Sequence, residues 1–203
     1  MSIALFAPYD TMPAFVITIS HLSISNPFFM IHVGKPAPLF TDATAYQKGG
    51  EFIKVSLEKY RGTWVVLFFY PRDFTFICPT EIKGFAKHAD DFAKLNAVVL
   101  GASTDSEWSH KAWMERDLPE VTYPIIADTT QHISRDYDVL NDEGASERGL
   151  FVIDPEGIVR YAMVSGGSVG RSVKETLRVV EALQSGELCP VEWEPGQQTL
   201  GKA

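Results

Sequence analysis

The segment Trp64-Val65-Val66-Leu67-Phe68-Phe69-Tyr70 is apolar at every position and stops at Pro71. A run this long, rich in β-branched and aromatic side chains, has no polar face to offer water. It predicts a central strand buried on both faces. The rest of the chain supplies what would cover such a strand. Phe52 to Leu57 alternates apolar and polar residues, as a half-exposed strand does. A helix is expected from about Cys78 to Leu95, with Ile82, Phe85, Ala89, Phe92 and Ala93 forming one inward stripe. Ala97 to Ala102 reads as a second buried strand, followed by a helix carrying Trp108, Ala112 and Trp113. Tyr123 to Ala127 reads as another strand, and Asp128-Thr129-Thr130 as the cap of a short helix. Gly149–Ile153 and Ile158–Val164 form a hairpin around Asp154-Pro155-Glu156-Gly157, and an amphipathic helix spans Val173 to Gln184. Strand, helix, strand, helix, hairpin and final helix is an α/β order.

The 203 residues suit one domain with an appendage, and 45% apolar content is ordinary for a globular protein. A net charge of −8, with both signs mixed along the chain, argues against nucleic acid and anionic membranes as partners. Residues 1–34 contain neither Lys nor Arg, which fits neither a secretory signal nor a transit peptide. The stretch from Met12 to Val33 is broken by His21, Asn26, Pro27 and serines, so a membrane span is not expected. Residues 1–30 are expected to be a disordered extension, with Met30 a candidate start and the domain occupying 31–203. The intact mass of the natural protein tests this.

There are two cysteines, Cys78 and Cys189, far apart in the chain and too few for a disulfide scaffold or a four-thiolate zinc site. Cys78 falls where a helix should start, just after the loop that follows the central strand. Ligands and reactive groups in α/β sheets gather at that end. The unpaired N–H groups and partial positive charge of a helix N-terminus favour thiolate over thiol. Pro79 is tolerated there because the first turn does not need its N–H. Thr75 places a hydroxyl near the sulfur; it reads equally well as a loop threonine satisfying nearby backbone. Pro71 can close over the site or simply end the strand. Glu81, in the first helical turn, would oppose ionisation of the sulfur unless a cation intervened. The site therefore calls for an arginine from elsewhere, and spacing does not select one. Cys189 on these grounds is a thiol in an irregular tail. His21, His32, His88, His110 and His132 show no zinc-ligand spacing; His88 and His110 read as helix-surface or packing residues, and Asp90-Asp91 as a solvated face.

Pro71-Arg72-Asp73-Phe74-Thr75-Phe76-Ile77-Cys78 matches the P-x-x-x-T-x-x-C pattern of peroxiredoxins. The longer run Phe68 to Glu81 resembles the typical 2-Cys group, and bacterial alkyl hydroperoxide reductase C in particular. The resemblance continues through Ser103-Thr104-Asp105, His110-Lys111-Ala112-Trp113, Tyr123–Asp128, Arg148–Pro155 and Gly186-Glu187-Leu188-Cys189-Pro190. It implies a thioredoxin-like fold, with a central mixed sheet flanked by helices. It implies a thiol peroxidase, active in antioxidant defence, whose Cys78 is oxidised by hydroperoxides to a sulfenic acid. Arg148 becomes the missing cation, Glu81 its orienting partner, and Cys189 the resolving thiol of an intersubunit disulfide. A homodimer is implied, and a ring of five dimers, with no cofactor and no metal. The electron donor would be a dithiol or a flavoprotein disulfide reductase, thioredoxin-like or similar to alkyl hydroperoxide reductase F, and the compartment the cytoplasm.

Eukaryotic peroxide-sensitive members carry a Gly-Gly-Leu-Gly loop and a C-terminal Tyr-Phe helix. This chain has no glycine between Trp113 and Tyr123 and ends Thr199-Leu200-Gly201-Lys202-Ala203. Resistance of Cys78 to sulfinic acid formation is therefore expected. A thioredoxin-like disulfide reductase would need a second thiol where Glu81 stands. A ring-forming holdase chaperone is the alternative from a different class, and it should survive Cys78→Ser, which abolishes peroxide turnover.

Overall fold

The computed structural model describes residues 33–202; the expectations for residues 1–30 and the Met30 start lie outside them. Seven strands form one mixed sheet: β1 (Ala43–Tyr46), β2 (Phe52–Val55), β3 (Trp64–Phe69), β4 (Ala97–Ser103), β5 (Ile125–Ala127), β6 (Arg148–Ile153) and β7 (Val159–Ser165). Their order across the sheet is β2-β1-β5-β4-β3-β6-β7. β3, β4 and β5 run parallel, and the remaining pairings are antiparallel. The helices are α1 (Cys78–Lys87), α2 (Ala89–Lys94), α3 (Glu107–Asp117), α4 (His132–Asp136) and α5 (Val173–Ser185).

The apolar run does what its composition requires. β3 lies between β4 and β6, and its side chains alternate between two cores. Val66, Phe68 and Tyr70 pack with Ile82, Phe85, Trp113 and Val180 on the α1, α3 and α5 side. Val65, Leu67 and Phe69 pack with Ile133, Tyr137 and Phe151 on the α4 side. A strand with no polar face thus becomes the shared wall of two cores.

Local departures from the expected elements have identifiable causes. β2 ends at Val55; Ser56, still extended, accepts a hydrogen bond from the Asp42 amide at its hydroxyl, and Leu57 opens a 3-10 turn with its side chain buried. The single helix expected over 78–95 breaks at His88 (φ −107°, ψ 15°). The His88 carbonyl then accepts from Asp91 and Phe92 and starts α2, so that Phe85 and Phe92 still meet, ring centroids 6.0 Å apart. Asp128 does cap α4, its carboxylate accepting from the amides of Ile133 and Ser134. Trp108 is not a core residue: it is exposed and lies edge-on to Phe52. After Gly186, whose φ of 63° closes α5, the described residues of the tail carry no strand or helix.

Candidate active site

Everything at the site depends on where β3 stops. Pro71 follows the last β3 pairing, Tyr70 N–H to the Ala102 carbonyl, and the loop 71–77 delivers Cys78 to the first position of α1. Ile77, the N-cap, has no oxygen-bearing side chain, so no side chain caps the helix beside the sulfur. The helix start sets the positive end of its dipole beside Cys78, while the amides of Thr80 and Glu81 are taken up by the Ile77 carbonyl.

Cys78 is 1% exposed and packs in the apolar cluster on the α1 side, but a charged group reaches its sulfur. Arg148, entering from the start of β6, places Nη1 3.5 Å from Sγ as a donor. The same Nη1 lies 2.5 Å from Glu81 Oε2, and Nε donates to the Gly167 carbonyl at 3.1 Å. Glu81 in turn accepts from a second arginine, Arg171: backbone N–H at 2.8 Å, Nε at 2.7 Å and Nη2 at 3.1 Å. Arg171 Nη1 also donates to the Gly149 carbonyl, one residue beyond Arg148. All three charged side chains are buried. Burial alone would raise the Glu81 carboxyl; the hydrogen bonds and charge of Arg171, and then the charge of Arg148, outweigh it and hold the group below its ordinary value. One carboxylate between two guanidiniums leaves the cluster with a net positive charge beside the sulfur.

The six residues expected at the site are not all brought together. Cys78, Glu81 and Arg148 are in contact. Thr75 is on the adjoining loop, but its hydroxyl donates to the Arg72 carbonyl at 2.9 Å and makes no hydrogen bond to the sulfur. Pro71 is half-buried at the head of the loop. Cys189 is elsewhere. Its sulfur is free and touches Ser185, Ala182 and Glu187 at the end of α5. A cleft of about 700 Å³ borders the loop and is lined by Thr75, Phe74, Pro79, Lys83, Trp113 and Arg116.

Two features of the site were not read from the sequence. Arg171 is one; the Gly166-Gly167-Ser168-Val169-Gly170 stretch before it marks a flexible approach to a helix start, but nothing in it points at Glu81. The other lies under the loop. His110 is a packing residue, fully buried rather than at the helix surface. Its Nδ1 is 2.9 Å from Asp73 Oδ2 and its Nε2 3.2 Å from the Ile126 carbonyl. Asp73 also accepts from Ser109 and from the Tyr70 hydroxyl, whose proton is held by burial and by the nearby Asp73 charge. The loop is thus nailed to α3 two residues before Thr75. Among the described residues no group of three His, Cys, Asp or Glu side chains is arranged to hold a metal ion, and no helix is long and apolar enough to cross a membrane.

A mixed sheet flanked by helices, with a thiol at a helix start beneath a buried guanidinium, defines the class: a thioredoxin-like thiol peroxidase, a peroxiredoxin. Residues 33–162 match the AhpC/TSA family, and the chain belongs to it. It is 48% identical over 174 residues to a putative peroxiredoxin in the rubredoxin operon of Clostridium pasteurianum, covering 83% of this chain and 98% of that one. It is 49% identical over 179 residues to peroxiredoxin-2 of Rattus norvegicus, covering 83% and 89%. The reduced 2-Cys peroxiredoxin of Plasmodium vivax superposes with a TM-score of 0.79 at 39% identity, covering 82% and 91%. The AhpC of Mycobacterium tuberculosis superposes at 0.73 and 37%, covering 81% and 99%.

Proposed function

We propose that Cys78 is the peroxidatic nucleophile and that Cys189 of a partner subunit resolves its oxidised form. The observation that carries this is the Arg148 guanidinium, which reaches the sulfur and the Glu81 carboxylate with one nitrogen. In the first step the Cys78 thiolate attacks the terminal oxygen of a hydroperoxide. The S–O bond forms as the O–O bond breaks, and the departing oxygen leaves as alcohol or water once it gains a proton. Arg148 stabilises charge growing on that oxygen. The Thr75 hydroxyl, its proton given to the Arg72 carbonyl, offers lone pairs to the hydroperoxide O–H. Glu81 orients Arg148, and Pro71 shields the loop from water.

In the second step the Cys189 thiol attacks the Cys78 sulfenic acid, water leaves, and a disulfide remains for a dithiol donor to reduce. Two observations support an intersubunit bond: Cys78 is buried, and Cys189 is packed against α5 of its own chain. That arrangement needs a homodimer, and the family resemblance supports rings of five. Peroxide reduction followed by rapid mixing tests the scheme. Cys78→Ser should consume no peroxide. Cys189→Ser should consume one equivalent and then stall as sulfenic acid when the donor attacks only disulfides. Turnover by Cys78→Ser would overturn it.

A further inference from the structure

Arg72 is exposed at the mouth of the Cys78 loop, yet its guanidinium is engaged at both ends. Nη1 donates to Thr104 Oγ1 at 3.3 Å and Nη2 to the Glu143 carbonyl at 3.2 Å. Thr104 passes its own proton to the Gly144 carbonyl at 2.9 Å. Arg72 thereby ties the loop to the residue after β4 and to the 141–146 turn, which leads into β6 and Arg148. The carbonyl of the same residue accepts the Thr75 hydroxyl proton. A hydroxyl has one proton and two lone pairs. Where the Arg72 carbonyl points therefore decides where the Thr75 lone pairs point. Between the two, Phe74 sits at φ 54°, a region that a residue with a Cβ holds only when its neighbours are fixed.

We propose that Arg72 is a positioning residue for the peroxidase reaction: by bridging Thr104 and Glu143 it aims the Thr75 hydroxyl and keeps the strained loop closed over Cys78. The proposal rests on the roles assigned above to Thr75 and Cys78. The competing view is that an exposed guanidinium contributes nothing measurable, as most surface pairs do. Two features argue against it here. The acceptors come from two separate segments, and one is a backbone carbonyl rather than a mobile side chain. A planar fork spans such a pair, which the point charge of a lysine cannot do.

Single-turnover mixing with hydrogen peroxide, followed by tryptophan fluorescence, separates the peroxide step from the disulfide step. Arg72→Leu should slow the peroxide step on the order of tenfold, the equivalent of about one or two hydrogen bonds. The same variant should speed disulfide formation several-fold, because the loop opens more readily. Thr104→Val should reproduce a smaller part of both changes, and Arg72→Lys should restore less than half of either. Both rate constants of Arg72→Leu within about twofold of wild type would overturn the proposal, given that hydrogen-bond losses of this kind exceed that change. So would equal slowing of both steps with a lowered melting temperature, which marks general destabilisation. Thr75→Val keeps the two readings apart. If it slows the peroxide step while Arg72→Leu does not, only the Arg72 role fails. If it reacts as fast as wild type, the Thr75 role fails first.

Discussion

Cys78 and Cys189 sit in surroundings that differ in nearly every respect. Cys78 is at a helix start, buried, with a guanidinium donor 3.5 Å away that is itself fixed by Glu81 and Gly167. Cys189 is in a segment without regular structure. Its sulfur has contacts no shorter than 3.6 Å, to a serine hydroxyl and two carbonyls. The tail around it closes mainly on itself: Leu188 donates its N–H to the Gly201 carbonyl and accepts at its own carbonyl from the Leu200 N–H. Val191, two residues beyond Cys189, is 91% exposed. A nucleophile that must meet a small molecule benefits from a rigid, charged cradle. A thiol that must reach another sulfur benefits from a tether that can let go. Under the proposed function the two regions would answer these two demands within one chain.

The sharpest break of this comparison removes the charge from one side of it. Arg148→Leu leaves the sulfur without its donor and Glu81 with Arg171 alone. Loss of one preorganised donor costs on the order of 10²–10³ in rate, and a fall of that size is expected in the peroxide step. Arg148→Lys should recover little, because an ammonium cannot hold Gly167, Glu81 and the sulfur from one plane. The disulfide step, once sulfenic acid is made, should change far less. A peroxide step within tenfold of wild type in Arg148→Leu would show that the helix start alone activates the thiol.

Glu81→Gln tests the cradle as structure. It strands two buried guanidiniums with no anion between them, and breaking a buried pair costs about 3–5 kcal/mol. Urea unfolding should show a loss in that range. The effect has a defined pH sign. The Glu81 carboxyl is held below its ordinary 4.5 in the folded chain. Its contribution is therefore complete above that pH and is lost as pH falls through the folded value. The stability gap between wild type and Glu81→Gln should be constant at neutral pH and narrow only once the pH has fallen below the ordinary carboxyl value of 4.5. A gap that never narrows as the pH is lowered below 4.5, for as long as the fold persists, would mean the carboxylate charge is not what holds the arginines.

The part of this arrangement that follows the chain locally could be read from the sequence. The apolar run fixed β3 as a two-faced strand, and the Pro71 stop placed Cys78 at a helix start. Need for a cation could also be read, because Glu81 beside a thiolate is unfavourable alone. Which cation could not be read, since Arg148 and Arg171 arrive from two distant strand and helix ends and no spacing rule connects them to Glu81. The His110–Asp73 contact escaped for a related reason. A histidine one turn into a helix looks the same in sequence whether it faces water or a buried aspartate 37 positions earlier. The break at His88 shows the opposite limit. The apolar stripe continues through it, so periodicity reported one helix where a backbone break at His88 makes two.

The gentlest test loosens the tail without touching the cradle. Trp193, in the segment after Cys189, is 6% exposed and donates Nε1–H to the Gln197 carbonyl. Its own carbonyl accepts from Arg178 on α5 at 3.0 Å, while Arg178 is held by Glu175 at 2.7 Å. Arg178 is therefore a tie between helix and tail, worth about one hydrogen bond, roughly 1 kcal/mol. Arg178→Met keeps the length of the side chain and removes that bond. Hydrogen exchange of the amides of Leu188 and Leu200 should quicken by a few-fold, and exchange in α1 should not change. The peroxide step should keep its wild-type rate, since Arg178 touches nothing at Cys78. If exchange in α1 rose together with the tail, the two cysteine environments would be one cooperative unit, and the separation on which the comparison depends would fail.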